Sequence, residues 1–207
     1  MISSMICFTI IFGTYLLIKI SRIEKVKKNI IFIALIFTTM ALFSGCLVSE
    51  KISYTIKLTG PEKGTVTMQF YNVKSNAGND KEFQEDKDNL FSYILKSNKL
   101  ENQLKEQGKD VVSRELYVED NKLDGKAVYK FNNINKVEGI RFEDGFYYLT
   151  LALSDSVIST NGQIIKSKEY KRILWDKSFD VLKFEMYSSG FNNSIFKDLA
   201  QFYKPRE

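Results

Sequence analysis

The chain has no histidine, only two cysteines and only two prolines among its 207 residues. Without histidine it lacks the commonest general acid/base and the commonest metal ligand, and no Ser-His or Cys-His nucleophile pair can form. Cys7 and Cys46 are too few for the usual zinc ligand sets. No cysteine follows residue 46, so no disulfide can form within the chain beyond it and an ordinary core must stabilise that part. Sixteen Phe and eleven Tyr supply the large apolar areas such a core needs. There is no GxSxG elbow, P-loop, dinucleotide fingerprint or HExxH, so no catalytic residue, metal or cofactor is expected.

Basic excess is also missing from most of the chain. The net charge is +5, but residues 1–45 carry Lys19, Arg22, Lys25, Lys27 and Lys28 against Glu24, which leaves 25 basic and 24 acidic residues from Cys46 onward. A nucleic-acid binder carries its basic stripe on the folded part. That function is therefore not expected.

Long apolar runs are confined to the start. MISSMICFTIIFGTYLLI (1–18) and NIIFIALIFTTMALFSGC (29–46) flank the basic connector KISRIEKVKK (19–28). Each run is near the lower limit of about 17–25 residues for a membrane-spanning helix. Residues 26–45 have the parts of a secretory signal: Lys27 and Lys28, an apolar stretch from Ile30 to Leu42, and small residues at the end. Phe43, Ser44, Gly45 and Cys46 resemble a bacterial lipobox, with Phe43 where an aliphatic residue is usual. The resemblance implies a lipoprotein: diacylglycerol on the Cys46 thiol, cleavage before it, and Cys46 as the new N-terminus. Two chains anchor stably where one binds marginally. Leu47 rather than aspartate after the cysteine leans toward an outer membrane if the cell is Gram-negative.

Residues 1–25 do not fit a signal peptide, and translation from Val26 would make them an upstream extension. The alternative is a two-pass hairpin with its basic connector on the cytoplasmic side. Both readings export residues 46–207 to the cell envelope.

In the exported part, KISYTIKL (51–58) and TVTMQFYNV (65–73) alternate apolar and polar residues across GPEKG (60–64), which predicts an antiparallel hairpin. Phe83, Leu90, Phe91, Ile94, Leu95 and Leu104 recur at helical spacing, predicting one amphipathic helix over about 80–107, capped by Asp80, stopped by Gly108, with a break near Ser97-Asn98. Its acidic start, NDKEFQEDKDN, lacks the EF-hand order and reads as a solvated face. VVSRELYVE (111–119), KAVYKFN (126–132), GIRFE (139–143), FYYLTLAL (146–153), KRILWD (171–176) and VLKFEMYS (181–188) read as strands. LDG (123–125) and EDG (143–145) read as tight hairpin turns. NNINKVEG (132–139) reads as a connection with a short helical turn, and SIFKDLAQFY (194–203) as a short helix with Ile195, Phe196, Leu199 and Phe202 on one side.

This order predicts an α+β fold: one antiparallel sheet with a long amphipathic helix packed on a face. The hairpin after the lipid cysteine, the long helix, DGKAVYKFNNI and the later STNG…LWD are similar to the LppM-type domain of bacterial lipoproteins, over roughly residues 47–188. That resemblance implies an exported lipoprotein domain and adds no catalytic residue. Asp176 and Asp180 flank a short loop beside Trp175, and Glu143 and Asp144 share a turn, so two acids could in principle act as a hydrolase pair. Ordinary turn chemistry for the acids and a core role for Trp175 are the expected outcomes. The leading expectation is a non-enzymatic binding or assembly module held at a membrane through acylated Cys46, recruiting an envelope protein partner through a sheet edge. A lipid or glycan site between the helix and the sheet is the alternative.

Overall fold

The structure, a computed structural model, describes residues 47–205. The lipobox residues Phe43, Ser44, Gly45 and Cys46, and both N-terminal apolar runs, lie outside the described residues. Among the described residues no helix is long and apolar enough to cross a membrane.

The fold is α+β and dominated by antiparallel sheet. Strands β1 (Leu47–Val48), β2 (Lys51–Leu58), β3 (Gly64–Tyr71) and β4 (Lys74–Ser75) lead into helix α1 (Asp80–Asp88), which continues as a π-helical stretch, Asn89–Ile94. Helix α2 (Asn98–Glu106) is followed by β5 (Lys109–Glu119), β6 (Lys122–Phe131), a 3-10 turn at Ile134–Lys136, β7 (Ile140–Glu143) and β8 (Phe146–Leu151). Then come β9 (Ser156–Thr160), β10 (Gln163–Lys166), β11 (Lys171–Asp176), β12 (Val181–Tyr187), β13 (Lys197–Asp198) and a 3-10 turn at Ala200–Phe202.

The expected single sheet is in fact three, among the described residues: β5-β6-β3-β2-β12-β9, β10-β11-β8-β7, and a small β1-β4-β13. The chain passes from the large sheet to the four-stranded one at Asn161–Gly162, between β9 and β10. Ile52, Tyr54 and Ile56 of β2 stand opposite Phe70, Met68 and Val66 of β3, which in turn oppose Gly125, Ala127 and Tyr129 of β6. Directly opposed residues share a face, so this face of the large sheet is apolar across β2, β3 and β6. Its other face carries Lys57, Thr65, Thr67 and Lys130, so the alternation of these strands is of the half-buried kind.

Two different layers cover the apolar face. At one end the four-stranded sheet packs Ile140, Tyr147, Leu149, Ile173 and Trp175 onto Ile56, Val66, Phe131, Leu182 and Phe184. Each fully buried aliphatic or aromatic side chain there contributes about 1.5–3 kcal/mol. At the other end Leu90, Phe83 and Phe91 of the helical segment pack with Val73, Leu123, Phe70, Leu116 and Leu199.

The long helix is divided at the expected break: Ser97 is extended, and its hydroxyl accepts the N–H of Lys99 and of Leu100, so it caps a second helix. Local structure departs from the sequence pattern in three places. The first helix is capped by Asn79 accepting from the Glu82 N–H, not by Asp80, and Asp86 of its acidic face is fully buried against the Ser75 hydroxyl at 2.5 Å. LDG lies inside β6 rather than at a turn. The β5–β6 turn is Asp120–Asn121, both with positive φ (48° and 60°), as a two-residue hairpin loop needs. The expected C-terminal helix is absent, because the backbone of Lys197–Asp198 pairs with β4, where the buried Lys74 ammonium meets Asp198 at 2.9 Å; Ile195 is exposed and only Leu199 is buried. EDG is the expected two-residue hairpin, with Asp144 and Gly145 at φ 52° and 80° between Glu143 and Phe146.

Candidate functional site

Between the two covering layers the apolar face is left partly unfilled. A cavity of about 540 Å³ lies there, with the helices as roof and β2, β3, β6 and β5 as floor. The floor is hollow because the inward positions in the middle of β6 are Gly125 and Ala127, between the bulky Leu123 and Tyr129. A Cβ at Gly125 would meet Leu116 Cδ2 at 3.1 Å, so the Leu116 side chain already lies against this end of the floor.

The roof is shaped by the π-helical stretch. At about 100° per residue, an α-helix would put Leu95 about 140° away from Leu90. The wider i→i+5 turn brings Leu90, Ile94 and Leu95 together over the cavity. Leu100 and Leu104 of α2 continue the roof.

β5 closes the side of the cavity through an irregularity. A β-bulge between Val111 and Ser113 resets the alternation, so Val111 opposes Tyr129 while Arg114 opposes Ala127 and both face inward. The Arg114 guanidinium donates to Ile94 O at 2.6 Å, Ser97 O at 3.4 Å and Glu101 Oε1 at 2.6 Å. One side chain thereby satisfies carbonyls at the end of the first helical segment and clasps the second.

The two ends of the cavity differ. One is lined by Leu47, Val48, Ser49, Ser188 and Phe191. At the other, Lys109 Nζ donates to Glu138 Oε1 at 3.0 Å, and the Tyr129 hydroxyl donates to the same oxygen at 3.2 Å. Burial, with the Glu138 charge adding to it, pushes the Tyr129 phenol far above its usual pKa, and burial does the same to Tyr54. Glu138 sits at φ 45°, in the left-handed region that a non-glycine residue occupies only when its surroundings hold it there.

The acids singled out from the sequence each have a local role, and the register sets Asp176 and Glu143 in one row on either side of Phe146, across β11, β8 and β7. Asp176 accepts the Ser178 N–H at 2.8 Å, and its hydrogen bonds with Ser178 hold its carboxyl below the usual range. The backbone carbonyl of Asp180 accepts from Leu58, Glu143 accepts the Tyr148 hydroxyl, and Asp144 forms the hairpin turn. Among the described residues no three acidic or cysteine side chains come together to hold a metal. Trp175 is buried beside Phe184, and its N–H donates to Asn161 Oδ1 at 2.8 Å. STNG is thus the lock for LWD: Asn161 accepts from Trp175 and from the Lys183 N–H, and a Cβ at Gly162 would lie 2.6 Å from Trp175 Nε1.

The sequence marks the interval between helix and sheet and the roof residues Leu90, Ile94, Leu95 and Leu104, but not the floor and side that shape the cavity. Gly125 and Ala127 were readable as small residues in an inward row. Arg114 was hidden by the bulge. Compared with protein-family models, with curated proteins and with solved structures, the chain matches none.

Proposed function

We propose that the chain is a bacterial cell-envelope lipoprotein whose exported domain, anchored through acylated Cys46, is a non-enzymatic binding module for an apolar ligand. The observation that supports this reading is the cavity between helices and sheet. A fully packed interface would have spoken against a ligand, whereas about 540 Å³ with an apolar lining lies within the roughly 300–1,000 Å³ of small-molecule sites. The ligand class follows from shape. The lining runs along β6 from Gly125 to Tyr129, roughly 14 Å at about 3.4 Å per residue. An elongated apolar space of this kind suits an acyl chain. A lipid suits this lining better than a glycan, whose hydroxyls would find few partners.

The test uses the full chain extracted from membranes, stripped of lipid and held in an amphipathic polymer. A fluorescent long-chain acyl probe is expected to bind saturably, and to lose binding in Ala127→Leu. Equal signal from both proteins would refute the cavity as the site. The anchor is tested separately by intact mass: a chain starting at lipidated Cys46, changed to an unprocessed chain in Cys46→Ala, supports it, and an unmodified chain retaining residues 1–45 opposes it.

A second reading, recruitment of an envelope protein by strand addition, is favoured by β10. This edge strand of the four-stranded sheet has every side chain exposed, including Ile164 and Ile165. Crosslinking in native membranes through position 165, with no protein adduct formed, would count against it.

A further inference from the structure

The Lys109 end of the cavity has the chemistry of a headgroup site, and we infer that the ligand is an amphiphile with an anionic head, a carboxylate or phosphate on a long alkyl chain, seated with its head on Lys109 and its chain along Ala127. This rests on the cavity being a binding site, as proposed above, and adds the ligand's polarity and orientation.

Three observations carry it. First, the two ends are chemically unlike: Ser49, Ser188 and Ser189 are the neutral polar residues at one, and the Lys109–Glu138 ion pair stands at the other. Second, the cations lining the cavity are not equivalent. Arg114 is committed to the roof through Ile94, Ser97 and Glu101, and Lys126 pairs with Glu115. The Lys109 ammonium has three donors and makes one hydrogen bond among the described residues, to Glu138. Third, the pair is asymmetric. The Lys109 side chain is 15% exposed and Glu138 30%, and Glu138 stands on a left-handed turn continued by Gly139 at φ 80°. The more exposed Glu138 carboxylate can turn outward about its side-chain bonds while Lys109 stays. An incoming carboxylate or phosphate oxygen takes its place, accepting from Lys109 Nζ and the Tyr129 hydroxyl. Glu138 is thus a stand-in for the ligand head, keeping the ammonium neutralised while the cavity is empty, since an unpaired charge there would be costly.

The experiment is equilibrium dialysis of the full chain, delipidated and held in an amphipathic polymer, against radiolabelled palmitate and methyl palmitate. The wild type is expected to bind palmitate at least tenfold more tightly than the ester. Lys109→Met should abolish that margin while keeping its affinity for the ester, which also shows that the variant is folded. Glu138→Gln should tighten palmitate binding, because the competing carboxylate is gone. Stronger competition by hexadecyl phosphate than by palmitate assigns the head to phosphate, weaker competition assigns it to carboxylate, and equal competition shows that the site takes either; all three uphold an anionic head. A wild type that binds acid and ester equally, or a margin that survives Lys109→Met, overturns the headgroup inference and leaves the cavity reading standing. Failure of the wild type to bind either compound overturns both.

Discussion

Ala127→Leu separates a cavity from a packed core by the sign of its effect on stability. Ala127 is a floor residue opposed by Met68 on one side and by Arg114 on the other, with open space above it. Leucine adds three carbons, and at about 0.8 kcal/mol per buried methylene they contribute up to about 2 kcal/mol if they enter unoccupied space. In a filled core the same substitution costs about 1–3 kcal/mol through overpacking. The assay is equilibrium urea unfolding of the delipidated full chain, followed by Trp175 fluorescence, since that residue is fully buried in the fold. A midpoint shifted upward, with loss of acyl-probe binding, is expected. A midpoint shifted downward by the overpacking amount would mean that the space is not available, and the functional reading would fail with it.

Other consequences concern the roof, the core and pH. Replacing Arg114 by Met removes three hydrogen bonds to the helical roof, one of them charged at both ends, and should cost about 2 kcal/mol; amide exchange should accelerate selectively in residues 98–106, and acceleration spread evenly over the domain would refute the clasp. Gly162→Ala places a methyl group 2.6 Å from Trp175 Nε1 and should destabilise by about 1–3 kcal/mol, read as a lower melting temperature with a red-shifted Trp emission; an unchanged melt would show that the β9–β10 crossing does not hold the indole. Tyr54 and Tyr129 have folded-state pKa values raised above the unfolded value, chiefly by burial. Their contribution is therefore fully present below about pH 10 and is lost as pH rises beyond it, by up to about 1.4 kcal/mol per pH unit for each tyrosine. Stability measured from pH 8 to 11.5 should fall less steeply in Tyr129→Phe, and an identical slope would contradict this linkage.

The strands could be read in the sequence because most of them obey simple alternation. Lys51–Leu58 and Val66–Phe70 show their faces directly, and the five-residue connection Thr59–Lys63 follows the turn cluster. What could not be read depends on local breaks in periodicity or on tertiary pairing. The bulge after Val111 reverses the faces of β5, so Arg114 would be placed outside by counting. The π-helical stretch sets Leu95 beside Leu90, five residues away, a juxtaposition that regular helical spacing does not give. Asp124-Gly125 carries the local chemistry of a turn, yet Asp124 accepts the buried Asn72 N–H at 2.8 Å and Gly125 lies under Leu116, both long-range demands. The C-terminal segment has helical spacing in Ile195, Phe196 and Leu199, but pairing of Lys197–Asp198 with β4, supported by the buried Lys74, overrides it. Lys109 shows the same limit at the site itself. A lysine at the start of a strand reads as solvated until the opposing Phe131 shows that it faces inward.

Native mass spectrometry of the full protein, released gently from its membrane, addresses the central claim most directly. The account predicts a retained non-covalent adduct of an amphiphile, absent from Ala127→Leu. A protein that flies without any adduct, or an adduct retained equally by the variant, would contradict it.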